Sequence, residues 1–266
     1  MRSREAEEMI LTKAYLIPVI FGLWLPITFI ITYVIAVLKD HVKPILPYIS
    51  DTGGRAPESS IFGVALTIAG VLMIMTVYIR FRQVKNLVEE RDLGVVTSRL
   101  NNSGLYMGVL ATFGCLITAN FQVTNALPVH IFGAMMCFGL LIVFQIVQVI
   151  ISFRMYPTFG SKAVNIIRLI FALMSSIGLG ISNIAGIISL MESEGGDMMK
   201  WTKDEKGYFM HLTSVIVEYI VLFSTIFFIT TFTGEFKMVH FQEPVLIVSY
   251  VPNGLERKIC TKQGGT

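Results

Sequence analysis

Two ionisable residues, His211 and Glu218, stand seven apart in an otherwise apolar run, FMHLTSVIVEYIVLFSTIFF. At about 3.6 residues per turn and 1.5 Å per residue they project from nearly the same helix face, roughly 10 Å apart along the axis. An ionisable group in such a run must be protonated, paired or solvated by a cavity, and it marks a functional site by default. A carboxyl and an imidazole on one stripe can handle a proton or hydrogen-bond a polar ligand. Asn120 and Gln122 end one neighbouring apolar run and His130 begins the next, while Asp51 and Thr52 sit in a polar loop, PYISDTGGRAPESSIFG. Asp51, Thr52, Asn120, Gln122, His130, His211 and Glu218 are therefore the candidate ligand-binding cluster. Ser175, Ser176 and Asn183, in another apolar run, are candidates to satisfy Glu218.

Other chemistries find no pattern. A zinc site built from Asp51, His130 and His211 needs three ligands at fixed geometry, and no HExxH or CxxC spacing supports one. There is no G-x-S-x-G, no P-loop and no dinucleotide fingerprint. The expectation is a protein that is not an enzyme, with no catalytic residues, no cofactor, no metal and no nucleic-acid partner. Cys115 and Cys137 fall inside apolar runs and Cys260 in the tail, so the cysteines build no disulfide framework.

The elements that must carry these residues are membrane helices. Of 266 residues, 54% are hydrophobic and 15% charged, where soluble domains are about a quarter charged. A span needs about 20 largely apolar residues. Stretches at 14–38, 61–80, 103–121, 127–152, 165–190 and 208–233 meet that length. The fold expected is all-α, a six-helix transmembrane bundle over residues 1–233, followed by a cytosolic tail, 234–266. The first run is read as a retained helix, because no small-residue cleavage site follows it. Of the 21 Lys and Arg, 15 fall in the two tails and the second and fourth connections, which places both termini in the cytosol. The Asp51 loop is then lumenal or extracellular. Trp201, Tyr208 and Tyr48 are expected in an interfacial aromatic belt.

Pro18 and Pro26 are expected to kink the first helix. The 80–102 connection is read as starting with a helical continuation of the second span. Gly104 with Gly108, and Ser176 with Gly180, put small residues four apart for close helix packing, dimerisation being the alternative. Residues 122–126 join the third and fourth spans as a tight hairpin, and Thr202 with Glu205 has the spacing of a capping box that would start the sixth helix. The VLIVSYV run of the tail reads as a short strand or a membrane-lying segment. The cytosolic half of the bundle offers few polar groups, which argues against a continuous ion path.

Pro47 to Gly53, with Ala56-Pro57-Glu58 and Phe62-Gly63, resembles the first lumenal loop of the damage-regulated autophagy modulators, the DRAM proteins of the Frag/DRAM/Sfk superfamily. The likeness continues through Ala119 to Gln122, through His130 with Gly133-Ala134, and from Trp201 through Lys206-Gly207-Tyr208 and His211 to Glu218. It implies a six-span protein of lysosomal or late endosomal membranes, with the plasma membrane as a further location. Such a protein would promote autophagy, bear on cell death and act without catalysis. Its partners would be membrane lipids and autophagy or trafficking machinery on the cytosolic side. Superfamily relatives affect lipid handling, which implies the alternative of lipid remodelling, lipid transport or phosphoinositide control. The first reading adds a lumenal polar cup for a lipid headgroup, under a loop stiffened by Pro47 and Pro57 and turned at Gly53 and Gly54.

The charge bias generates a test. Asn101-Asn102-Ser103 has the form of an N-glycosylation acceptor but falls on the side assigned to the cytosol. Enzymatic deglycosylation of the protein from mammalian cells is expected to leave its gel mobility unchanged, and a shift would reverse the topology.

Overall fold

Lipid does not hydrate a peptide group, so each spanning segment must satisfy its own backbone, and the chain answers with helices. The computed structural model describes residues 9–11, 13–90, 96–239 and 241–242. Its helices are α1 (Leu16–Leu38), α2 (Glu58–Glu90), α3 (Ser98–Asn120), α4 (Leu127–Met155), α5 (Lys162–Glu192), α6 (Tyr208–Thr230) and the one-turn α7 (Thr233–Phe236). Among the described residues, six helices are long and apolar enough to cross a membrane, the last running on to Phe236. Residues 13–239 form one compact unit. In a second unit, β1 (Met9–Leu11) pairs antiparallel with β2 (Phe241–Gln242). The VLIVSYV run lies outside the described residues.

Consecutive helices pack on one another and α6 returns to α1, so the six spans close a ring. The ring is apolar outside, with Leu23, Ile30, Val64, Ile177 and Ile184 exposed, while Thr32, Arg80, Gln145, Arg168 and Ser175 are buried. Packing between such helices comes from close fit, small residues and internal hydrogen bonds, since lipid supplies no hydrophobic drive between them. The tightest contact joins α3 and α4. A Cβ on Gly114 would stand 2.5 Å from the Cys137 backbone nitrogen, and one on Gly133 would stand 2.8 Å from that of Thr118. Gly104 and Gly108 also face inward, against Gln148 and Val77, whereas a Cβ on Gly180 would meet open space.

Several local expectations change. Pro18 falls in the first turn of α1, where a missing amide donor costs nothing, leaving Pro26 as the interior proline. Helix α2 does continue past the apolar run, to Glu90, and Thr97 caps α3 by accepting from the Leu100 amide at 3.3 Å. Thr202 and Glu205 form a turn, not a helix start: Glu205 Oε1 accepts from both the amide and hydroxyl of Thr202 at 3.1 Å, and α6 begins at Tyr208 behind Gly207. Gly207 has a φ of +82° and an added Cβ would stand 2.5 Å from the Ser189 carbonyl, so glycine is required there on both counts.

The largest correction concerns the end of the bundle bearing the 91–97 and 156–161 connections, which is far from poor in polar groups. Glu235, on α7, is gripped by Arg80 from α2 at 2.6 Å and by Arg168 from α5 at 2.8 Å, and both guanidinium side chains are fully buried. Arg80 also donates to Gln148, Gln83 and Ser152, and Arg168 to Ser152 and Thr231. The Phe232 ring lies against both, its centroid 5.3 Å from Arg80 and 4.4 Å from Arg168. Four elements are thereby locked where four helices converge.

Removing one member of a buried ion cluster strands the others, at about 3–5 kcal/mol. Glu235→Ala is expected to destabilise the bundle by that order, measured as lost resistance to denaturant of the purified protein in detergent.

Candidate functional site

The opposite end of the bundle carries the 39–57, 121–126 and 193–207 connections, and the first of these folds inward over the helix ends. Its residues 51–53 form a single 3-10 turn, in which Asp51, Thr52 and Gly53 are all buried. Thr52 donates to the Ile49 carbonyl at 2.7 Å and shares a 3.1 Å hydrogen bond with Thr32 of α1. The glycines serve space and not unusual turn angles. Gly54 has φ −79° and ψ −25°, ordinary for any residue, but a Cβ on Gly53 would stand 2.4 Å from the Phe62 ring.

Three contacts pin this lid to α6. Tyr48 donates from its hydroxyl to Ser214 Oγ at 2.8 Å, the Ile49 amide donates to Glu218 Oε2 at 3.3 Å, and Tyr219 donates to the Pro47 carbonyl at 3.3 Å. The neighbouring connection is fastened too: Lys200 reaches Asp40 at 2.8 Å and holds its carboxyl below the usual range. Beside it, His41 binds the fully buried Glu58. As the first acidic residue of α2, Glu58 also meets the positive end of the helix dipole.

Beneath the lid lies a cavity of about 980 Å³ reaching between all six spans. Its walls are mostly apolar, including Phe21, Leu25, Phe29, Leu66, Met73 and Leu222. That volume is at the upper end of the range of about 300–1,000 Å³ typical of small-molecule sites. Asp51, His130, His211 and Glu218 line it, whereas Thr52, Asn120 and Gln122 do not. Thr52 instead holds the 3-10 turn. Asn120 is exposed and donates to the Leu116 carbonyl of its own helix at 2.8 Å, and Gln122 accepts from Asn125 at 3.2 Å within its connection. His130 donates from Nδ1 to the Phe121 carbonyl at 2.7 Å, tying the start of α4 to the end of α3.

Glu218 faces the cavity, and its observed donor is the Ile49 amide rather than a side chain of α5. Ser175 instead approaches Thr225 at 3.5 Å, while Ser176 and Asn183 donate to carbonyls of their own helix. His211 lies between two rings, stacked on Trp201 at 4.5 Å and edge-on to Tyr48 at 5.1 Å. Trp201 is thus buried in the site, not placed in an interfacial belt with Tyr48. The His211 ring is buried, and its Nδ1 has no hydrogen-bond partner among the described residues.

The carboxyl of Asp51 is pushed well above the usual carboxylate range, chiefly because burial penalises its charge and then because Glu218 is near. A hydrogen bond from the Tyr48 backbone opposes the rise. Burial likewise lifts the Tyr48 phenol to about 12. An apolar chamber ending in carboxyls, an imidazole and hydroxyls can hold an amphiphile, and its acids can accept hydrogen bonds or meet a positive charge.

A family model described as the Frag1/DRAM/Sfk1/Cwh43P N-terminal domain matches residues 13–239. The chain is 36% identical over 228 residues to DNA damage-regulated autophagy modulator protein 2 of Homo sapiens, covering 84% of each chain. It is 35% identical over 224 residues to DNA damage-regulated autophagy modulator protein 1 of the same organism, covering 84% of this chain and 91% of that one. No solved structure matches it significantly.

Asp51 makes stability depend on pH with a defined sign. Between an unfolded value near 3.9 and its raised folded value, the folded state holds the extra proton, so stability falls as pH rises through that window. Asp51→Asn is expected to flatten the dependence, read from melting temperatures between about pH 4 and 8.

Proposed function

The chain belongs to the Frag1/DRAM/Sfk1/Cwh43 family, among its DRAM members, and from that premise we propose that it is a multi-pass membrane protein that modulates autophagy without catalysing a reaction. The membrane part rests on six apolar helices. The autophagy part rests on relatives that are named autophagy modulators and match over most of their length. Its place is the lysosomal or late endosomal membrane, with both termini cytosolic, the Asp51 loop lumenal and autophagy or trafficking proteins met on the cytosolic face. Cell death is a downstream consequence of the same role.

The observation that carries the molecular half of the reading is the 980 Å³ chamber under the loop. We read it as a lipid pocket, with the headgroup among Asp51, His211 and Glu218 and the hydrocarbon against the aromatic and aliphatic walls. Thr52 and His130 position its rim. A second reading, lipid remodelling or transport, draws on the same chamber: Glu218 or His211 would then move a proton or orient the lipid. Reconstituted protein that leaves lipid composition and sidedness unchanged favours the first reading.

Loss of the protein is expected to alter autophagic flux, measured as lysosome-dependent turnover of a lipidated autophagosome marker. Glu218→Gln should reproduce at least half of that change while the variant still reaches the same membrane. Unchanged flux in cells lacking the protein would remove the basis of the proposal.

A further inference from the structure

Among the described residues, the acids inside the bundle fall into two groups. Glu235 holds two arginines and Glu58 holds a histidine, so each buried acid outside the cavity has a basic partner. Asp51 and Glu218 share one cavity, and among the described residues neither is in an ion pair. Asp197 adds a third carboxylate to the same walls, and Arg55, exposed in the lid, is the only lining Lys or Arg among the described residues. Two acids in one low-dielectric space repel when ionised, and a cation placed between them relieves both.

Independent of the acids, His211 lines the cavity, and its buried Nδ1 has no partner among the described residues. A buried polar atom left unsatisfied is costly, so a ligand group that the ring turns to meet is favoured. The rings of Tyr48 and Trp201 beside it also line the space, and such rings attract ammonium groups. The rest of the wall is hydrocarbon. The site therefore has the complement of an amphiphile with a positively charged head.

Resting on the lipid-pocket reading above, we propose that the chamber selects a lipid bearing an ammonium head, its nitrogen seated between Asp51 and Glu218 and its chain along the wall formed by Phe29, Leu66 and Leu222. The ammonium can belong to a free long-chain amine or to a choline phospholipid. In the second case the phosphate lies toward Arg55.

The test uses the full chain in detergent micelles, titrated with sphingosine, lysophosphatidylcholine or palmitate. The readout is tryptophan fluorescence, since Trp201 lines the cavity and Trp24 does not, and a Trp24→Phe variant isolates the signal. Sphingosine or lysophosphatidylcholine is expected to bind saturably and at least tenfold more tightly than palmitate, the tighter of the two identifying the source. Asp51→Asn with Glu218→Gln should erase that preference. Palmitate binding as well as the ammonium lipids overturns the selectivity but leaves the lipid pocket standing. No saturable change with any of the three overturns both. The comparison among ligands on the wild-type chain does not depend on either variant folding.

Discussion

The grip of Arg80 and Arg168 on Glu235 sets the character of the whole bundle. Charges withdrawn from water must find one another, and here the three lie on segments distant in sequence, so meeting fixes how α2, α5 and α7 converge. Gln83, Gln148, Ser152 and Thr231 absorb most of the remaining guanidinium donors. The result is an end whose buried charges are paired internally. The lining of the large cavity includes residues of the connections at the other end and none of residues 96–97 or 156–161.

There the same physics is arranged differently. The lid is held by local hydrogen bonds and by contacts to α6, each modest, and one of them is accepted by the cavity carboxyl Glu218 itself. Tyr48 belongs to the lid, stands edge-on to His211 and bonds Ser214. Lid position and cavity chemistry are therefore one system: whatever approaches Glu218 or His211 also acts on the residues that keep the roof in place. One end of the molecule pairs its buried charges internally, and the other leaves the Asp51 and Glu218 carboxyls without a basic partner among the described residues.

Much of this was legible in the chain. Six apolar runs of span length announce themselves, because hydrocarbon thickness sets a minimum that soluble helices seldom meet. Glu218 and His211 stand out because ionisable groups are rare at such depth. Asn120 and Gln122 read equally well as site residues, yet amides at helix ends often serve the nearest carbonyl or side chain, and these two do. Arg80, Arg168 and Glu235 went unnoticed because charges at the margins of apolar runs are ordinary, and nothing in their spacing tells that three margins meet. The aromatic residues misled for a related reason: Trp201 and Tyr48 occupy positions where an interfacial belt is expected, and only the folding of their loops turns them inward. The one usable hint was the density of unusual residues in the 47–63 loop, more than a simple connection requires.

The contact between Gly114 and Gly133 has a mechanical consequence. Backbones that touch leave no side chains to bend or slide, so α3 and α4 behave as a single stiff plank along one side of the chamber. Along this side of the chamber the two helices have little room to shift against each other. Any widening must come from the other staves of the ring, and the direction in which the vessel breathes is decided by two missing methyl groups.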